Sequence, residues 1–261
     1  MAEVKLKKGQ GIGLALGGGA VLGAAHIGAI RAIKEFDLEV EAISGTSIGA
    51  FIGALFSCGN DFSQIEDIAL DLSWTDISGF SLSKFGLFSN DKIRDFLADV
   101  IGKEATFDDI GIPLFIVATN ITSGEKKVLK SGDLADAVMA STCLPGIYKP
   151  IEIDGELYVD GGVVENVPIS PLQEAGYSPI IAIDLNATQS YDRPGSMVDV
   201  LVNSFHFMMK TAAKEQTQDA DILIQPDLSA FNYVDSSQTE ELIKTGYEET
   251  RKVLEERMQS S

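Results

Sequence analysis

The chain is poor in histidine, in cysteine and in long apolar segments. Its two cysteines, Cys58 and Cys143, allow one disulfide at most and are expected to be free thiols. No apolar run reaches the roughly 18 residues that suggest a membrane span, because hydroxyl side chains interrupt the longest weakly polar stretch, residues 45–59. The apolar run at residues 12–16 is too short for a signal-peptide core, and no cleavage pattern follows it. These absences favour a cytoplasmic protein.

Basic residues are also scarce. The chain has 20 Lys and Arg against 39 Asp and Glu, which gives a formal net charge of −19. A field of this sign opposes nucleic acid and anionic lipid surfaces, so no nucleic-acid partner is expected. A lipid substrate would have to be captured by a local apolar surface, and transient contact with a membrane surface is expected only there. The sequence does not indicate an oligomeric state.

The hydrophobic pattern predicts an α/β fold. Short β-branched runs alternate with segments of helical periodicity, which is typical of a mainly parallel sheet covered by helices. The predicted strands are residues 12–16, 40–44, 114–120, 179–184 and 222–225. The predicted helices are residues 23–35, 48–57, 61–70, 90–102, 134–141, 169–175, 197–218 and 237–258.

Hairpins are expected at residues 151–158, where Asp-Gly supplies the turn, and at residues 119–129. No repeat or convincing linker divides the chain. Residues 1–261 are therefore expected to form a single domain with its core at about residues 11–246 and a C-terminal helix at 237–258. Residues 78–89, with Phe80, Phe85 and Phe88, are interpreted either as a lid over an apolar site or as a loop packed on the core.

Ser47 lies in the pattern G-x-S-x-G between Gly45 and Gly49. The pattern follows a predicted strand and opens a predicted helix, which is the strand–turn–helix setting of a nucleophile elbow. The helix N-terminus would add positive potential at the hydroxyl. The competing interpretation is a simple loop in which Ser47 caps the helix.

A serine nucleophile needs a base, and in the usual triad that base is histidine. His26 and His206 both lie inside predicted helices rather than after strand ends, so both are interpreted as structural residues. Asp160 ends an apolar strand immediately before Gly161 and Gly162, which let the backbone turn tightly. A Ser47–Asp160 dyad would need no histidine, provided that the site raises the pKa of the carboxyl or aligns it closely with the hydroxyl.

A glycine-rich loop follows the first predicted strand, at residues 17–23. Converging backbone N–H groups there could hold a nucleotide phosphate or the oxyanion of an acyl-transfer reaction. A P-loop is excluded because no Gly-Lys-Ser/Thr follows, and the dinucleotide pattern fits only imperfectly. Taken together with Ser47 and Asp160, the loop favours an oxyanion hole.

The three motifs in this order resemble those of bacterial patatin-like phospholipases. Weaker similarity runs through residues 141–150 and 166–168, so the resemblance spans about residues 11–246. The matching residues are Gly17, Gly18, Gly19, Ala20 and Gly23, then Gly45, Ser47 and Gly49, then Asp160, Gly161 and Gly162.

The resemblance implies a three-layer α/β/α fold, a Ser47 nucleophile, an Asp160 base, and an oxyanion hole formed by the backbone of Gly18, Gly19 and Ala20. It implies hydrolysis of lipid or simple acyl esters through an acyl-enzyme, with no metal or organic cofactor. Leu22 stands where the family usually has Arg or Lys. Together with the acidic net charge, this places simple acyl esters and lysophospholipids ahead of diacyl phospholipids.

Two alternatives remain open. An acyltransferase acting on acyl-CoA or an acyl carrier can use the same serine motif, although its usual histidine and arginine partners are not evident here. A non-catalytic lipid-binding protein on the same fold is disfavoured because Ser47, Asp160 and the glycine loop are all intact. Acyl transfer to an added thiol would identify the acyltransferase. Absence of a reactive serine would identify the non-catalytic lipid-binding protein.

Overall fold

The computed structural model of the chain describes residues 4–71, 79–80, 88–89, 91–189, 191 and 193–258. The strands are β1 (Gly11–Leu16), β2 (Glu39–Thr46), β3 (Gly79–Phe80), β4 (Phe88–Ser89), β5 (Leu114–Asn120), β6 (Lys126–Leu129), β7 (Ile151–Ile153), β8 (Glu156–Asp160), β9 (Ile180–Ile183) and β10 (Ile222–Ile224). The α-helices are α1 (Ala24–Glu35), α2 (Ile48–Ser57), α3 (Phe62–Asp71), α4 (Asp91–Ile101), α5 (Leu134–Thr142), α6 (Ser170–Glu174), α7 (Met197–Gln216) and α8 (Thr239–Arg257). Short 3₁₀ turns lie at Ala20–Gly23, Gly161–Val163, Thr217–Asp219 and Ser236–Gln238.

Eight strands form one sheet in the order β10-β9-β1-β2-β5-β8-β7, with β6 paired to β5. The pairs from β10 to β5 are parallel, and those made by β6, β7 and β8 are antiparallel. The parallel part is buried on both faces, as crossover helices require. Leu14 belongs to the larger core cluster and its neighbour Ala15 to the smaller one, so successive residues of β1 pack against opposite layers. The three-layer α/β/α prediction is confirmed.

Strand β5 brings the ends of two other strands together. One edge of β5 is occupied by β6, which pairs with both Val117 and Ala118. The other strands that pair with these two residues therefore lie on the opposite edge of β5. Thr46, the last residue of β2, pairs with Val117, and Asp160, the last residue of β8, pairs with Ala118. Because β2 runs parallel and β8 antiparallel to β5, their carboxyl ends meet on this edge.

Helices α1 and α8 pack closely on one face of the sheet. A Cβ atom on Gly28 would collide with the carbonyl oxygen of Ile243, and one on Gly246 would collide with that of Ala25. Two glycines therefore allow the backbones to approach more closely than larger residues would. The contact attaches the C-terminal helix to the core.

The observed elements lie close to those predicted from the sequence, and both hairpins are present as β7–β8 and β5–β6. Of residues 78–89, only the antiparallel pair β3–β4 is described, and the rest, including Phe85, lies outside the described residues. The proposed lid therefore stays a prediction. Across the described part of the chain, no helix combines the length and apolarity needed to cross a membrane.

Candidate active site

Ser47 occupies the turn between β2 and α2 with a positive φ of 55° and a ψ of −125°. This conformation is strained for a residue with a side chain and is typical of functional turns. The flanking glycines leave room for it, since a Cβ on Gly45 would lie 2.6 Å from the Cα of Ala50. A Cβ on Gly49 would collide with the carbonyl oxygen of Leu16. The turn is therefore held between the start of α2 and the end of β1.

Asp160 lies directly beside the serine. The Ser47 hydroxyl donates to Oδ2 of Asp160 at 2.6 Å, and the Gly162 N–H donates to Oδ1 at 2.8 Å. The carboxyl is completely buried, and burial raises its pKa from 3.8 to about 7 against the lowering effect of these two hydrogen bonds. A Cβ on Gly161 would collide with the carbonyl oxygen of Val117, so only glycine allows this approach to β5. A carboxyl with this pKa is suited to accept a proton near neutral pH.

Ser141, from the end of α5, contacts the nucleophile from the backbone side. Its Oγ accepts a hydrogen bond from the Ser47 N–H at 2.8 Å and donates to the carbonyl of Val117 at 2.7 Å. The side chain is fully buried. No pattern in the sequence indicated this contact beyond the family similarity of residues 141–150, because a serine late in a helix fits many roles.

The glycine loop lies beside Ser47. A Cβ on Gly18 would lie 3.2 Å from the Cβ of Ser47 and 2.7 Å from Oδ1 of Asn166. The Gly18 N–H donates to the carbonyl of Asn166 at 3.2 Å, which engages one of the three predicted oxyanion donors. Within the described residues, the amides of Gly19 and Ala20 have no acceptor.

Two further residues of the loop pack against neighbouring elements. The Gly17 N–H donates to the carbonyl of Ile183 at 3.0 Å, which joins the start of the loop to β9. A Cβ on Gly23 would collide with Ile48, so glycine lets the end of the loop approach α2. Leu22, which stands where the family usually has a basic residue, is fully buried in the core.

The two histidines serve other contacts. The Nε2 of His26 lies 2.8 Å from the Gly17 carbonyl and burial lowers its pKa to about 4, so the neutral ring donates to the start of the glycine loop. Burial likewise lowers the pKa of His206 to about 4, and its ring stacks on Tyr191 with centroids 5.3 Å apart. Within the described residues neither imidazole bonds to Ser47.

The site offers no evident metal centre. In the part of the chain that the structure describes, no group of three His, Cys, Asp or Glu side chains is placed to hold a metal ion. Both cysteines are free, Cys58 half-buried and Cys143 buried. Fold and site together define an α/β protein with a hydroxyl–carboxylate pair at the carboxyl edge of its sheet.

Comparisons with known proteins place this arrangement in a family. Residues 14–172 match the family model of patatin-like phospholipase. An uncharacterised NTE-family protein of Mycobacterium bovis is 32% identical over 181 residues, which cover 69% of this chain and 50% of the relative. The patatin-like phospholipase domain-containing protein 7 of Rattus norvegicus is 35% identical over 204 residues, which cover 72% of this chain and 14% of that protein.

Among solved structures, VipD from Legionella pneumophila superposes with a TM-score of 0.65 at 16% identity, covering 94% of this chain and 67% of that one. The chain belongs to the patatin-like phospholipase family, and the resemblance inferred from the motifs is confirmed. It spans about half the length of the mycobacterial relative and a smaller share of the rat protein.

Proposed function

We propose that the protein is a serine acyl hydrolase that cleaves carboxylic esters of lipids through Ser47 and Asp160. The observation that carries the proposal is the 2.6 Å hydrogen bond from the strained Ser47 to a buried carboxyl whose pKa is about 7. The serine–carboxylate contact supplies nucleophile and base without a third residue.

In the proposed reaction, Ser47 Oγ attacks the ester carbonyl carbon as its proton moves to Asp160. The oxyanion of the tetrahedral intermediate accepts hydrogen bonds from the amides of Gly19 and Ala20, which lack acceptors among the described residues. Protonated Asp160 then gives its proton to the departing alcohol, leaving an acyl-enzyme. Water attacks this ester while Asp160 takes its proton, and collapse of the second intermediate releases the fatty acid and returns the proton to Ser47.

We place simple acyl esters and lysophospholipids ahead of diacyl phospholipids as substrates. Leu22 is buried, so this position offers no cation to a phosphate, and the net charge of −19 repels anionic headgroups. The phospholipase name of the rat relative adds support for lipid esters.

A fluorophosphonate probe and a substrate panel test the function. The folded wild-type protein should be labelled, and Ser47→Ala should not be. The panel runs from short nitrophenyl esters through lysophospholipids to diacyl phospholipids, with a thiol acceptor added in parallel reactions. An unlabelled, inactive wild-type protein would refute the proposal, and faster transfer to the thiol than to water would replace hydrolase with acyltransferase.

We further propose that helix α7 makes transient contact with lipid aggregates. One face of its first twelve residues is apolar and exposed, formed by Met197, Val200, Leu201, Phe207 and Met208. An uncharged face on so acidic a chain suits a zwitterionic surface better than an anionic one. Replacing Met197 and Met208 with Asp should reduce flotation with phosphatidylcholine vesicles, whereas Ile121→Asp, an exposed apolar residue on the β5–β6 turn, should not. Equal flotation of both variants would exclude this face of α7 as the surface that contacts lipid.

The domain organisation and location remain proposals of the same kind. The first and last strands, β1 and β10, belong to the same eight-stranded sheet, which supports a single acyl-hydrolase domain over residues 1–261 with its core at about residues 11–246. The two free cysteines are compatible with a cytoplasmic location. Limited proteolysis should leave one protected core, and fractionation of the source cells should find the protein in the cytoplasm.

A further inference from the structure

The peptide unit between Gly18 and Gly19 has a side-chain partner. The Nδ2 of Asn186 donates to the Gly18 carbonyl at 2.6 Å, and Asn186 is 1% exposed. In a planar trans peptide the C=O and the following N–H point in opposite directions. The bond from Asn186 therefore also fixes the direction of the Gly19 N–H.

Sheet topology gives that direction. Strand β1 lies between β2 and β9, with Leu16 paired to Gly45 on one side and Ile183 on the other. Ser47 follows the end of β2, and Asn186 follows the end of β9. A Gly18 carbonyl held by Asn186 thus points to the β9 side, and the Gly19 N–H points to the β2 side, where Ser47 lies.

We propose that Asn186 is a positioning residue that holds the Gly19 amide towards the oxyanion of the proposed acyl-transfer reaction. The inference rests on the proposed function of the Ser47 site. Glycines on both sides of the peptide make rotation easy, because neither carries a Cβ to restrict φ and ψ. Without Asn186, the peptide is free to rotate and turn the Gly19 N–H away from the site.

The surroundings hold Asn186 in place for this role. Its own N–H donates to Oδ1 of the buried Asp184 at 3.0 Å, and Gln225 donates to Oδ2 of Asp184 at 3.2 Å. The Oδ1 of Asn186 is buried without a partner within the described structure. The side-chain amide therefore contributes through its donor, while its buried oxygen costs free energy that an apolar residue would not.

The test compares Asn186→Leu with Gln189→Leu. Gln189 is a matched control: it is also buried, donates from Nε2 to a backbone carbonyl, that of Leu228, and leaves its side-chain oxygen unpartnered in the described part of the chain. Loss of one oxyanion donor typically lowers kcat by about 100- to 1000-fold, so partial loss of its alignment should lower kcat by about 10- to 100-fold. The KM should change little, because an oxyanion interaction acts in the transition state.

Fluorophosphonate labelling of Asn186→Leu should slow in parallel with kcat, while Gln189→Leu should keep both rates near wild type. If Asn186→Leu does not fold, Asn186→Ser, whose hydroxyl is one bond shorter, replaces it in the same comparison. Equal kcat in the Asn186 variant, the Gln189 variant and the wild type would overturn the positioning role and leave the proposed function standing. A wild-type protein that is neither labelled nor active would instead refute the function itself.

Discussion

Replacing Asp160 with Asn should abolish ester hydrolysis and stabilise the fold at the same time. The amide has nearly the shape of the carboxylate: its oxygen can accept from the Gly162 N–H and its NH₂ can donate to Ser47 Oγ. It cannot take the proton of Ser47. It also removes a fully buried negative charge, which the native protein carries whenever the pH exceeds about 7.

The magnitude follows from the pKa of Asp160. The folded protein holds this proton more tightly than the unfolded chain, so the stabilisation from protonated Asp160 is complete below about pH 4 and is lost as the pH rises towards 7. A rise in pKa from 3.8 to about 7 corresponds to about 4 kcal/mol of unfolding free energy. The free energy of unfolding of Asp160→Asn minus that of the wild type should therefore grow by about 2 kcal/mol between about pH 5.5 and pH 9.

Urea unfolding of both proteins between about pH 5.5 and pH 9 measures this difference in unfolding free energy. The whole pH range lies above the sequence pI of about 4.4, where a low net charge promotes association. Asp154→Asn, which removes an exposed carboxylate from the turn before β8, controls for the loss of charge as such. A difference that does not vary with pH would refute the raised pKa. Full activity of Asp160→Asn would refute the dyad.

Two further predictions concern the same site. The kcat/KM of the wild type should rise with pH through about 7 and then level off, because only ionised Asp160 accepts the proton of Ser47; a profile flat from pH 5 to 9 would exclude Asp160 as the base. Ser141→Ala should leave the Ser47 N–H without its acceptor, cost about 1–3 kcal/mol of unfolding free energy and reduce kcat. Ser57→Ala is its control, since the buried Ser57 hydroxyl has no partner among the described residues, and equal losses in both variants would contradict the specific role of Ser141.

The sequence predicted those parts of the molecule that depend on short segments. The Ser47 turn, the Asp160 strand end and the glycine loop are each local patterns, and Gly45, Gly49 and Gly161 are glycines because a Cβ would collide with a neighbouring backbone. Hydrophobic periodicity likewise indicated the order of strands and helices.

Contacts between distant segments were not accessible in this way. Ser141 approaches Ser47 from 94 residues away, and Asn186 reaches Gly18 across 168 residues. Their positions depend on which strands are neighbours, and hydrophobic periodicity does not specify that order. The hydrogen bond from the Gly18 N–H to the Asn166 carbonyl was equally inaccessible from the sequence. It forms because the segment after Asp160 returns beside β1.

In the proposed dyad, the burial of Asp160 explains how a carboxylate takes the part that histidine plays in a triad. An ordinary histidine has a pKa near 6.5, and the buried Asp160 reaches about 7, so the carboxylate has the basicity that imidazole supplies in a triad. This basicity depends on excluding water, and Met209, which is 3% exposed, packs over the backbone beside Asp160: a Cβ on Gly162 would lie 3.2 Å from Met209 Cγ and 3.1 Å from Asp160 Oδ1.

Met209→Ser should therefore hydrate the carboxyl and lower its pKa. The rising limb of the pH–rate profile should move to lower pH, and the plateau rate should fall because a weaker base accepts the proton less readily. Met208→Ser, a change at an exposed neighbour on the same helix, should leave the limb in place. If the rising limb of the pH–rate profile stays in place in a folded Met209→Ser variant, the exclusion of water beneath α7 does not set the pKa of Asp160.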